Sequence, residues 1–504
     1  MFAGSGSMKI RTRNLPIEIQ MFKLRRALAS VAILPLVLAS TRAADWPRFR
    51  GPNGSGVPEG DAPLAVQLKG EEGVAWSTPL PAGVSSPCIA GRRIYLTGVR
   101  GKEVVTIALD RSTGKVLWER AAPTDRTEEV HSTSSPAAST PASDGERTVV
   151  FFGSFGLLAY DPDGKEIWRR PLGPFKNPFG AASSPLIEGD VAILNCDQDQ
   201  GSFLVALDKR TGEVRWRVER PEFPRGFSTP IVWETESGRQ LVVPGTLTAK
   251  GYSLEGGREL WSTAGLARIV NPTPILGGGL LYIASYSPGG DSSERIAMPP
   301  FDEYAAANDA DKDGRFSERE IPQGDMKHRF LQLDADKDGF ITRAEWDNMA
   351  RIFDAARNAI LALKPAAAGE ARVGLAWSYE RGVPYVSSPL HYRGHIYMVK
   401  DGGILTLLEA STGKLVKQSR LPGEDGYYSS PVATGGKVFA VSLAGVASVI
   451  AEGSDLKVLE TRDFHERTAA TPAIADGRIL IRTEKRLVTF GPRNDGGEVG
   501  GGSR

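Results

Sequence analysis

The sequence has few cysteines, almost no net charge and, outside its N-terminal region, no hydrophobic run of membrane length. Its two cysteines, Cys88 and Cys196, are 108 residues apart, which excludes a scaffold of several disulfides and a cysteine-ligated metal site. The net charge of +1 gives no general attraction to nucleic acid or to an anionic membrane surface. A hydrophobic content of 41% with 24% charged residues is ordinary for a globular protein with a sizeable core.

The N-terminal region has the pattern of an export signal. Basic residues within 23–26 precede an apolar stretch over residues 27–40, which is too short to span a bilayer. Residues 41–43 fit a cleavage site, and Met21 is the expected start because the preceding residues lack this pattern. The alternative is an uncleaved, anchored segment. No cysteine follows the cleavage point to carry a lipid, so we expect a periplasmic or secreted protein without a transmembrane segment.

Eight Ser-Pro or Thr-Pro steps, each followed by a short apolar run, recur at nearly constant intervals. Their prolines are Pro87, Pro141, Pro185, Pro230, Pro274, Pro389, Pro431 and Pro472. The intervals are 54, 44, 45, 44, 115, 42 and 41 residues. A period of about 40–45 residues is typical of a β-propeller built from four-stranded blades. The discordant interval of 115 residues indicates an insertion in the fifth repeat.

The second half of each repeat carries a turn and a tryptophan at a fixed spacing. Residues 107–118 read IALDRSTGKVLW, residues 205–216 read VALDKRTGEVRW, and weaker copies end at Trp168 and Trp261. Asp followed by Thr-Gly makes a tight turn, because Gly is free to take positive φ. The Trp then lies on the outermost strand, where a large ring can cover the gap to the neighbouring blade. The sixth repeat has Lys417 at this position.

The last repeat ends after its third strand, and residues 74–77 can supply the missing fourth. Closing the ring with strands from both termini removes exposed sheet edges. The sequence therefore predicts an all-β fold, an eight-bladed β-propeller with strands A to D in each blade and a small α-helical insertion in blade 5. The expected organisation is an N-terminal extension with signal peptide (1–43), an N-terminal segment (44–73), the first part of the propeller (74–286), the insertion (287–358), the second part of the propeller (359–490) and a flexible tail (491–504).

The repeat motif Ala-x-Asp-x-x-Thr-Gly-x-x-x-Trp resembles that of the family named for the pyrroloquinoline quinone (PQQ) enzymes, over about residues 74–490. The chain is also similar to the BamB-like propellers of outer-membrane assembly. Its residues 45–52, DWPRFRGP, look like the start of many secreted propellers of this group. The resemblance implies the fold and says little about activity.

Two acidic segments in the insertion match the twelve-residue EF-hand calcium loop at every constrained position: residues 309–320, DADKDGRFSERE, and residues 334–345, DADKDGFITRAE. Phe316 and Ile341 occupy position eight, where apolar side chains can pair the two loops. The predicted ligands are the side chains of Asp309, Asp311, Asp313, Ser317, Glu320, Asp334, Asp336, Asp338, Thr342 and Glu345 and the carbonyls of Arg315 and Phe340. We therefore predict two Ca²⁺ sites; the alternative is a pair of solvated acidic loops.

Helices are expected beside these loops, over residues 301–308 and 343–357. Pro322 departs from the EF-hand pattern, because it follows Glu320 where the exiting helix should continue and proline breaks helix interiors. Only residues 321–333 link the two loops. We therefore expect a structural calcium site without the helix opening of a calcium sensor.

The insertion falls between strand B of blade 5, at 281–286, and strand C, at 359–364. B–C turns and D-to-A crossovers lie on the same face of a propeller, so we expect the insertion over the mouth of the central channel. An unidentified protein, glycan or small-molecule ligand is expected at this mouth. The candidate ligand-facing residues are His131, Asp197, Asp199, Arg225, Tyr385, Tyr427 and His465. Asp197 and Asp199 could also hold a third cation, and a hydrated turn is the alternative.

Sequence features of an enzyme are missing. Quinoprotein dehydrogenases of the similar family carry a vicinal Cys-Cys disulfide, which the two separated cysteines cannot form, and this argues against PQQ. The chain has no Cys-x-x-Cys-His, Gly-x-Ser-x-Gly or His-Glu-x-x-His motif. The sequence favours a monomeric, calcium-binding, non-catalytic binding or scaffolding protein of the cell envelope. A divergent PQQ-dependent oxidoreductase and a BamB-like assembly factor remain the alternatives.

Overall fold

The computed structural model describes residues 44–492, except 65–66, 174, 176, 200, 292–296, 367–371 and 424. The expected signal peptide and nearly all of the expected C-terminal tail lie outside these residues. In the part that is described, none of the helices is both long and apolar enough to cross a membrane.

Eight four-stranded antiparallel sheets form the body of the protein, one for each repeat, and the predicted all-β eight-bladed propeller is confirmed. Strands A to D are Cys88–Ala90, Arg93–Arg100, Glu103–Asp110 and Val116–Ala121 in blade 1, Ala142–Ser143, Thr148–Phe152, Gly156–Tyr160 and Glu166–Pro171 in blade 2, Leu186–Glu188, Val191–Cys196, Phe203–Asp208 and Val214–Glu219 in blade 3, and Ile231–Thr235, Gly238–Pro244, Thr248–Ser253 and Glu259–Ala264 in blade 4. They are Ile275–Gly277, Leu280–Ser285, Ala359–Lys364 and Gly374–Tyr379 in blade 5, Leu390–Tyr392, His395–Lys400, Ile404–Glu409 and Leu415–Arg420 in blade 6, Val432–Thr434, Lys437–Val441, Val446–Ala451 and Val458–Asp463 in blade 7, and Ala473–Ala475, Arg478–Arg482, Arg486–Phe490 and Val74–Pro79 in blade 8.

Burial changes from the inner to the outer strands of a blade. In blade 3, strand C (Phe203–Asp208) is buried along its whole length, since it is covered by neighbouring blades on both faces. Strand D (Val214–Glu219) is largely exposed, and Trp216 is its buried residue. The register of strands C and D shifts between Ala206 and Leu207, which is a β-bulge beside the tryptophan. The indole of Trp216 contacts the next blade at the carbonyl of Leu254.

The ring closes in blade 8, where strand Val74–Pro79 pairs antiparallel with strand Arg486–Phe490. Thr78 lies opposite Leu487, and Ser77 opposite Val488. Residues from the two ends of the described chain therefore complete one sheet, as the sequence predicted.

The strand D tryptophans hold adjacent blades together through their indole N–H groups. Each of four donates to a backbone carbonyl in the C–D turn of the next blade, at 2.9–3.0 Å: Trp118 to Pro162, Trp168 to Lys209, Trp216 to Leu254 and Trp377 to Ala410. In blade 6, Lys417 takes the tryptophan's place and its Nζ donates to the carbonyl of Asp455 at 2.9 Å. Trp261 differs, because it donates to Gln240 of its own blade.

The Ser-Pro and Thr-Pro steps form a hydrogen-bonded belt around the central channel. Proline holds the preceding residue in an extended conformation, which positions each Ser or Thr before strand A. The hydroxyl of each belt residue accepts the backbone N–H of the Ser or Thr in the previous blade. Among the described residues, seven such bonds of 2.9–3.1 Å run from Ser86 to Thr140, Thr140 to Ser184, Ser184 to Thr229, Thr273 to Ser388, Ser388 to Ser430, Ser430 to Thr471 and Thr471 to Ser86. We call the accepting residues (Ser86, Thr140, Ser184, Thr229, Ser388, Ser430 and Thr471) the hydroxyl belt.

The N-terminal segment crosses the inside of the ring and contacts the inner strands of blades on opposite sides. Trp46 exchanges two backbone hydrogen bonds with Ile89 in blade 1. Asn53 makes two hydrogen bonds to the backbone of Val232 in blade 4, at 2.7 and 3.0 Å. The buried guanidinium of Arg50 donates to the carbonyl of Pro389, just before strand A of blade 6, at 2.8 Å. The segment therefore closes one end of the central channel.

The insertion lies between strands B and C of blade 5 and has a core of its own. It consists of helices α1 (Phe301–Asn308), α2 (Asp325–His328), α3 (Phe330–Leu333) and α4 (Arg343–Ala355) and of two short strands, Arg315–Ser317 and Phe340–Thr342. Helix α4 begins with a capping box, in which Thr342 and Glu345 each bond the other's backbone. No helix follows Glu320 directly, in agreement with the position of Pro322.

Candidate functional site

The two acidic loops of the insertion lie side by side, joined by a short antiparallel ladder. Phe316 pairs with Ile341, and both side chains are fully buried in the core of the insertion. Apolar residues at the eighth position of each loop therefore tie the loops together, as the sequence suggested. Most of the remaining loop residues are exposed or half-buried, and Asp334, at the first position of the second loop, is buried.

Each loop folds around its own carboxylates, and the bonds of one loop repeat those of the other. In the first, Asp309 accepts the backbone N–H of Gly314 at 3.1 Å; in the second, Asp334 accepts that of Gly339 at 3.1 Å. Both glycines have positive φ (81° and 90°), a conformation that glycine adopts at little cost. The two loops thus share one backbone geometry, which directs their carboxylates inward.

One carboxylate oxygen at the first position of each loop is left without a partner. Oδ1 of Asp309 and Oδ1 of Asp334 are buried and accept no hydrogen bond within the described residues. Carboxylate oxygens of Asp309, Asp311 and Glu320 can come within 4.8 Å of one another, as can those of Asp334, Asp336 and Asp338. Burying an unpaired carboxylate oxygen is unfavourable, and a divalent cation held by several carboxylates relieves this cost. The residues present therefore fit a Ca²⁺ ion in each loop.

The insertion packs on the crossover face over blades 3 and 4. Arg268, in the crossover between blades 4 and 5, donates to Oε1 of Gln332 in helix α3 at 3.1 Å and lies over the ring of Phe353 in α4. A cleft between the two parts is lined by Asp199 and Arg225 from the propeller and by residues of the second loop, including Glu345. None of the described residues of the insertion lines the channel cavity. The expected position of the insertion over the channel mouth stays a prediction.

The central channel contains a cavity of about 200 Å³ at the level of the hydroxyl belt. All seven belt residues line it, and Phe49 of the N-terminal segment lines it as well. Aromatic rings of Phe179, Phe227, Tyr385 and Tyr428 and the amide of Asn271 also contribute to its wall. Among the described residues that line this cavity there is no Asp, Glu, Lys, Arg or His.

The cavity does not fit PQQ, the cofactor that this fold class suggests. PQQ carries three carboxylates, which need cationic or strongly donating partners when they leave water. None of the described residues that line the cavity is a cation. Cys88 and Cys196 are fully buried in different blades, with their thiols free. We therefore assign no reaction step to this cofactor.

The candidate ligand-facing residues fall in three different settings. Tyr385 lines the cavity. His131 is exposed, with Nδ1 at 2.9 Å from Oγ1 of Thr133 and its ring 5.3 Å from that of Phe179. The side chain of His465 is 84% exposed. Tyr427 is buried and donates its hydroxyl to the carbonyl of Pro422 at 2.8 Å, so it does not face the mouth.

Asp197 and Asp199 are both held in ion pairs. Asp197 accepts two hydrogen bonds from Arg220, at 2.8 and 2.9 Å, and the side chains are 0% and 1% exposed. Asp199 accepts two from Arg225, at 2.7 and 2.6 Å. This overturns both the third-cation site and the hydrated turn, because the carboxylates are already neutralised by arginines.

The sequence reasoning missed Phe49 and Asn271 as residues of the cavity. Asn271 lies two residues before the fifth Thr-Pro step, so aligning the repeats would have placed it on a crossover. Phe49 carries no comparable signal, because its position depends on the path of the N-terminal segment across the ring.

The fold and the repeats define this protein as a PQQ-like β-propeller. The family model described as outer membrane protein assembly factor BamB matches residues 59–183, 138–298 and 347–497, and the chain belongs to this family. These ranges leave out residues 299–346, which include both acidic loops.

A curated relative and two solved structures are similar to the chain. Polyvinylalcohol dehydrogenase from Sphingopyxis sp. (strain 113P3) is 25% identical over 229 residues, which are 42% of this chain and only 30% of the relative. The crystal structure of BamB from Moraxella catarrhalis has a TM-score of 0.52 at 12% identity and covers 83% of this chain and 99% of its own. The quinohemoprotein alcohol dehydrogenase ADHIIG from Pseudomonas putida HK5 has a TM-score of 0.53 at 13% identity, over 89% and 80%. At these identities the two structures establish the fold alone.

Proposed function

We propose that this protein is an extracytoplasmic, calcium-binding propeller with a non-catalytic binding or scaffolding role in the cell envelope. The observation that carries the calcium proposal is the unpartnered, buried Oδ1 at the same position of two equivalent loops, Asp309 and Asp334. The export-signal pattern of the first 43 residues and the family's description as an outer-membrane assembly factor support the location.

In this proposal calcium has a structural role. Each ion would replace repulsion among neighbouring carboxylates by attraction, and ions bound only to the folded state stabilise it by mass action. At a Ca²⁺ concentration a thousand times Kd, the gain is about 4 kcal/mol for each site. Helices α2 and α3 have four residues each, which leaves little helix to swing open as in a calcium sensor.

Calorimetric titration of the full chain with Ca²⁺ tests the proposal, and we expect two sites. Replacing Glu320 or Glu345 by Gln removes one charged, potentially bidentate ligand, so each variant is expected to lose one site and the double variant both. Glu303→Gln is the matched control, because Glu303 is an exposed acid of helix α1 outside the loops. Two sites in the double variant, or none in the unchanged protein, would contradict the proposal.

A chelator provides a second readout. We expect EGTA to make the insertion sensitive to limited proteolysis and to leave the blades protected, since the insertion has its own hydrophobic core. Unchanged cleavage of residues 301–355 after chelation would argue against a structural role for calcium.

The BamB-like alternative is favoured by the family match over most of the propeller. Affinity purification of the tagged chain from envelopes, with and without Ca²⁺, tests it. Co-purification of outer-membrane assembly components would support this role, and their absence under both conditions would count against it.

The oxidoreductase alternative is favoured by the similarity to polyvinylalcohol dehydrogenase. Addition of PQQ and Ca²⁺, followed by dye reduction with poly(vinyl alcohol) and small alcohols, tests it. The uncharged cavity leads us to expect no bound quinone absorbance and no dye reduction.

A further inference from the structure

One residue that lines the channel cavity carries a buried polar atom that the protein leaves unsatisfied. Asn271 lines the cavity, and its Oδ1 is buried without a hydrogen-bond partner among the described residues. Its Nδ2 donates to the backbone carbonyl of Tyr385 at 2.9 Å, which fixes the orientation of the amide. The atom left over is therefore an acceptor, which a hydroxyl of a ligand could satisfy.

The hydroxyl belt supplies the complementary donors. The hydroxyls of Thr140, Ser184 and Ser430, for example, each accept one backbone N–H at 2.9–3.0 Å. A hydroxyl that accepts a hydrogen bond still has its own proton to donate. Because the belt surrounds the cavity, a ligand inside it meets donors from several blades and the Asn271 acceptor from one side.

The rest of the wall selects against charge. Phe179 and Phe227 lie edge to face, with ring centroids 6.3 Å apart, and Tyr385 and Tyr428 add further ring surface. Rings present faces on which the C–H groups of a sugar or polyol can pack. None of the described lining residues is charged, so a carboxylate or an ammonium group that leaves water here gains no oppositely charged partner in the lining.

We propose that the channel cavity binds a neutral, polyhydroxylated ligand, such as the end of a carbohydrate chain or of a poly-ol. Hydroxyls of the ligand donate to Asn271 and accept from the belt, while its carbon skeleton packs on the aromatic rings. Phe49 of the N-terminal segment lines the cavity, so we expect the ligand to enter from the opposite end, at the crossover face. This inference rests on the binding role proposed above and is independent of calcium.

Calorimetric titration of the full chain, in saturating Ca²⁺, compares three probes. Cellobiose is the neutral sugar, cellobionate is its counterpart of nearly equal size with one carboxylate, and short poly(vinyl alcohol) oligomers represent a synthetic poly-ol. We expect a neutral probe to bind at least tenfold more tightly than cellobionate, because only the latter buries an unpaired charge. The tighter of the two neutral probes distinguishes the carbohydrate from the poly-ol. Equal binding of cellobionate, or no binding of either neutral probe, would overturn the inference.

Variants locate the site. Asn271→Ala is expected to weaken binding about tenfold, because it removes the unpartnered acceptor. Tyr428→Leu removes a ring from the wall and is expected to have a similar effect, and it serves as the decisive variant if Asn271→Ala does not fold. Asn348→Ala, an exposed amide of helix α4, is the matched control and should bind normally. Unchanged affinity in a folded cavity variant would overturn the inference. Calcium titration of the same preparations separates this outcome from a failure of the proposed function.

Discussion

The indole N–H of Trp168 in blade 2 donates to the backbone carbonyl of Lys209 in blade 3 across 2.9 Å. Gly212, in the same turn of blade 3, lies against the face of that indole, and a Cβ atom on Gly212 would meet the ring at 2.7 Å. The C–D turn of blade 3 therefore accepts the hydrogen bond of Trp168 and also packs against its ring. The Asp-x-x-Thr-Gly and Trp elements of the repeat are thus two halves of one contact between blades.

This contact predicts an unusually large effect of Gly212→Ala. The substitution forces an alanine into positive φ (72°) and a methyl group into the ring of Trp168, and we expect it to cost about 2–4 kcal/mol. Gly279→Ala is the matched control: Gly279 has φ of 77° with nothing within 4 Å of the added Cβ, so it reports backbone strain alone, about 1–2 kcal/mol. Urea unfolding followed by circular dichroism compares the two. Equal losses would show that the ring contact is unimportant.

The hydroxyl belt predicts a stability loss for Ser430→Ala. The alanine cannot accept the backbone N–H of Ser388, which is buried, and leaving such a donor unpaired costs about 1–3 kcal/mol. Ser262→Ala, at an exposed position of strand D in blade 4, is the control and should change stability by less than about 0.5 kcal/mol. Thermal melting measures both. Equal stability losses in the two variants would show that the belt hydrogen bond does not stabilise the fold.

The pair of Asp197 and Arg220 predicts opposite results for a single and a double substitution. Asp197→Ala leaves the guanidinium buried without its carboxylate, and we expect a loss of about 3–5 kcal/mol. Replacing both partners together, Asp197→Leu with Arg220→Met, removes the uncompensated charge and should recover most of that loss. Denaturant titration of the three proteins tests this. Should the double variant be as unstable as the single one, the loss would not come from the unpaired charge.

Burial of Glu128 predicts a stability that falls as pH rises. Burial raises the pKa of this carboxyl to about 7 from its ordinary 4.5, and its Oε2 has no hydrogen-bond partner within the described part of the chain. The folded protein therefore keeps a proton between pH 4.5 and 7 that the unfolded chain has lost, so stability falls across this window and is lowest above it. Glu128→Gln should be about as stable as the unchanged protein at pH 4.5 and about 3 kcal/mol more stable at pH 8.

Unfolding of this variant at several pH values measures the difference directly. Glu129→Gln, at the exposed neighbouring position, is the control and should follow the unchanged protein at every pH. A constant difference between Glu128→Gln and the unchanged protein across the range would contradict a titrating carboxyl.

Local rules were sufficient to predict the blades from the sequence. The Ser-Pro and Thr-Pro steps recur because most adjacent blades share the belt bond, with seven such bonds among the described residues. The tryptophan recurs because four blades bond the next blade through its indole N–H. The sequence also shows that the sixth repeat has Lys417 in place of the tryptophan. In the structure, Nζ of Lys417 donates to a carbonyl of the next blade, as the indole N–H does in other blades. The closure of the ring by residues 74–77 could be predicted because the last repeat has only three strands of its own.

Long-range contacts without a repeated signal could not be predicted in this way. The sequence indicates no partner for the carboxylates of Asp197 and Asp199. Their partners, Arg220 and Arg225, lie more than 20 residues away with no fixed spacing. The path of the N-terminal segment across the ring depends on single bonds such as that of Arg50 to Pro389, which are 339 residues apart.

The pairing of strand Val74–Pro79 with strand Arg486–Phe490 also constrains how the molecule can be made. Its partners are more than 400 positions apart, so this sheet is complete only after nearly the whole polypeptide has emerged. Until then blade 8 lacks its outer strand, and blade 1 has no complete neighbour on that side. A chain that stalls during synthesis would consequently present unpaired strand edges to proteases and to other nascent chains.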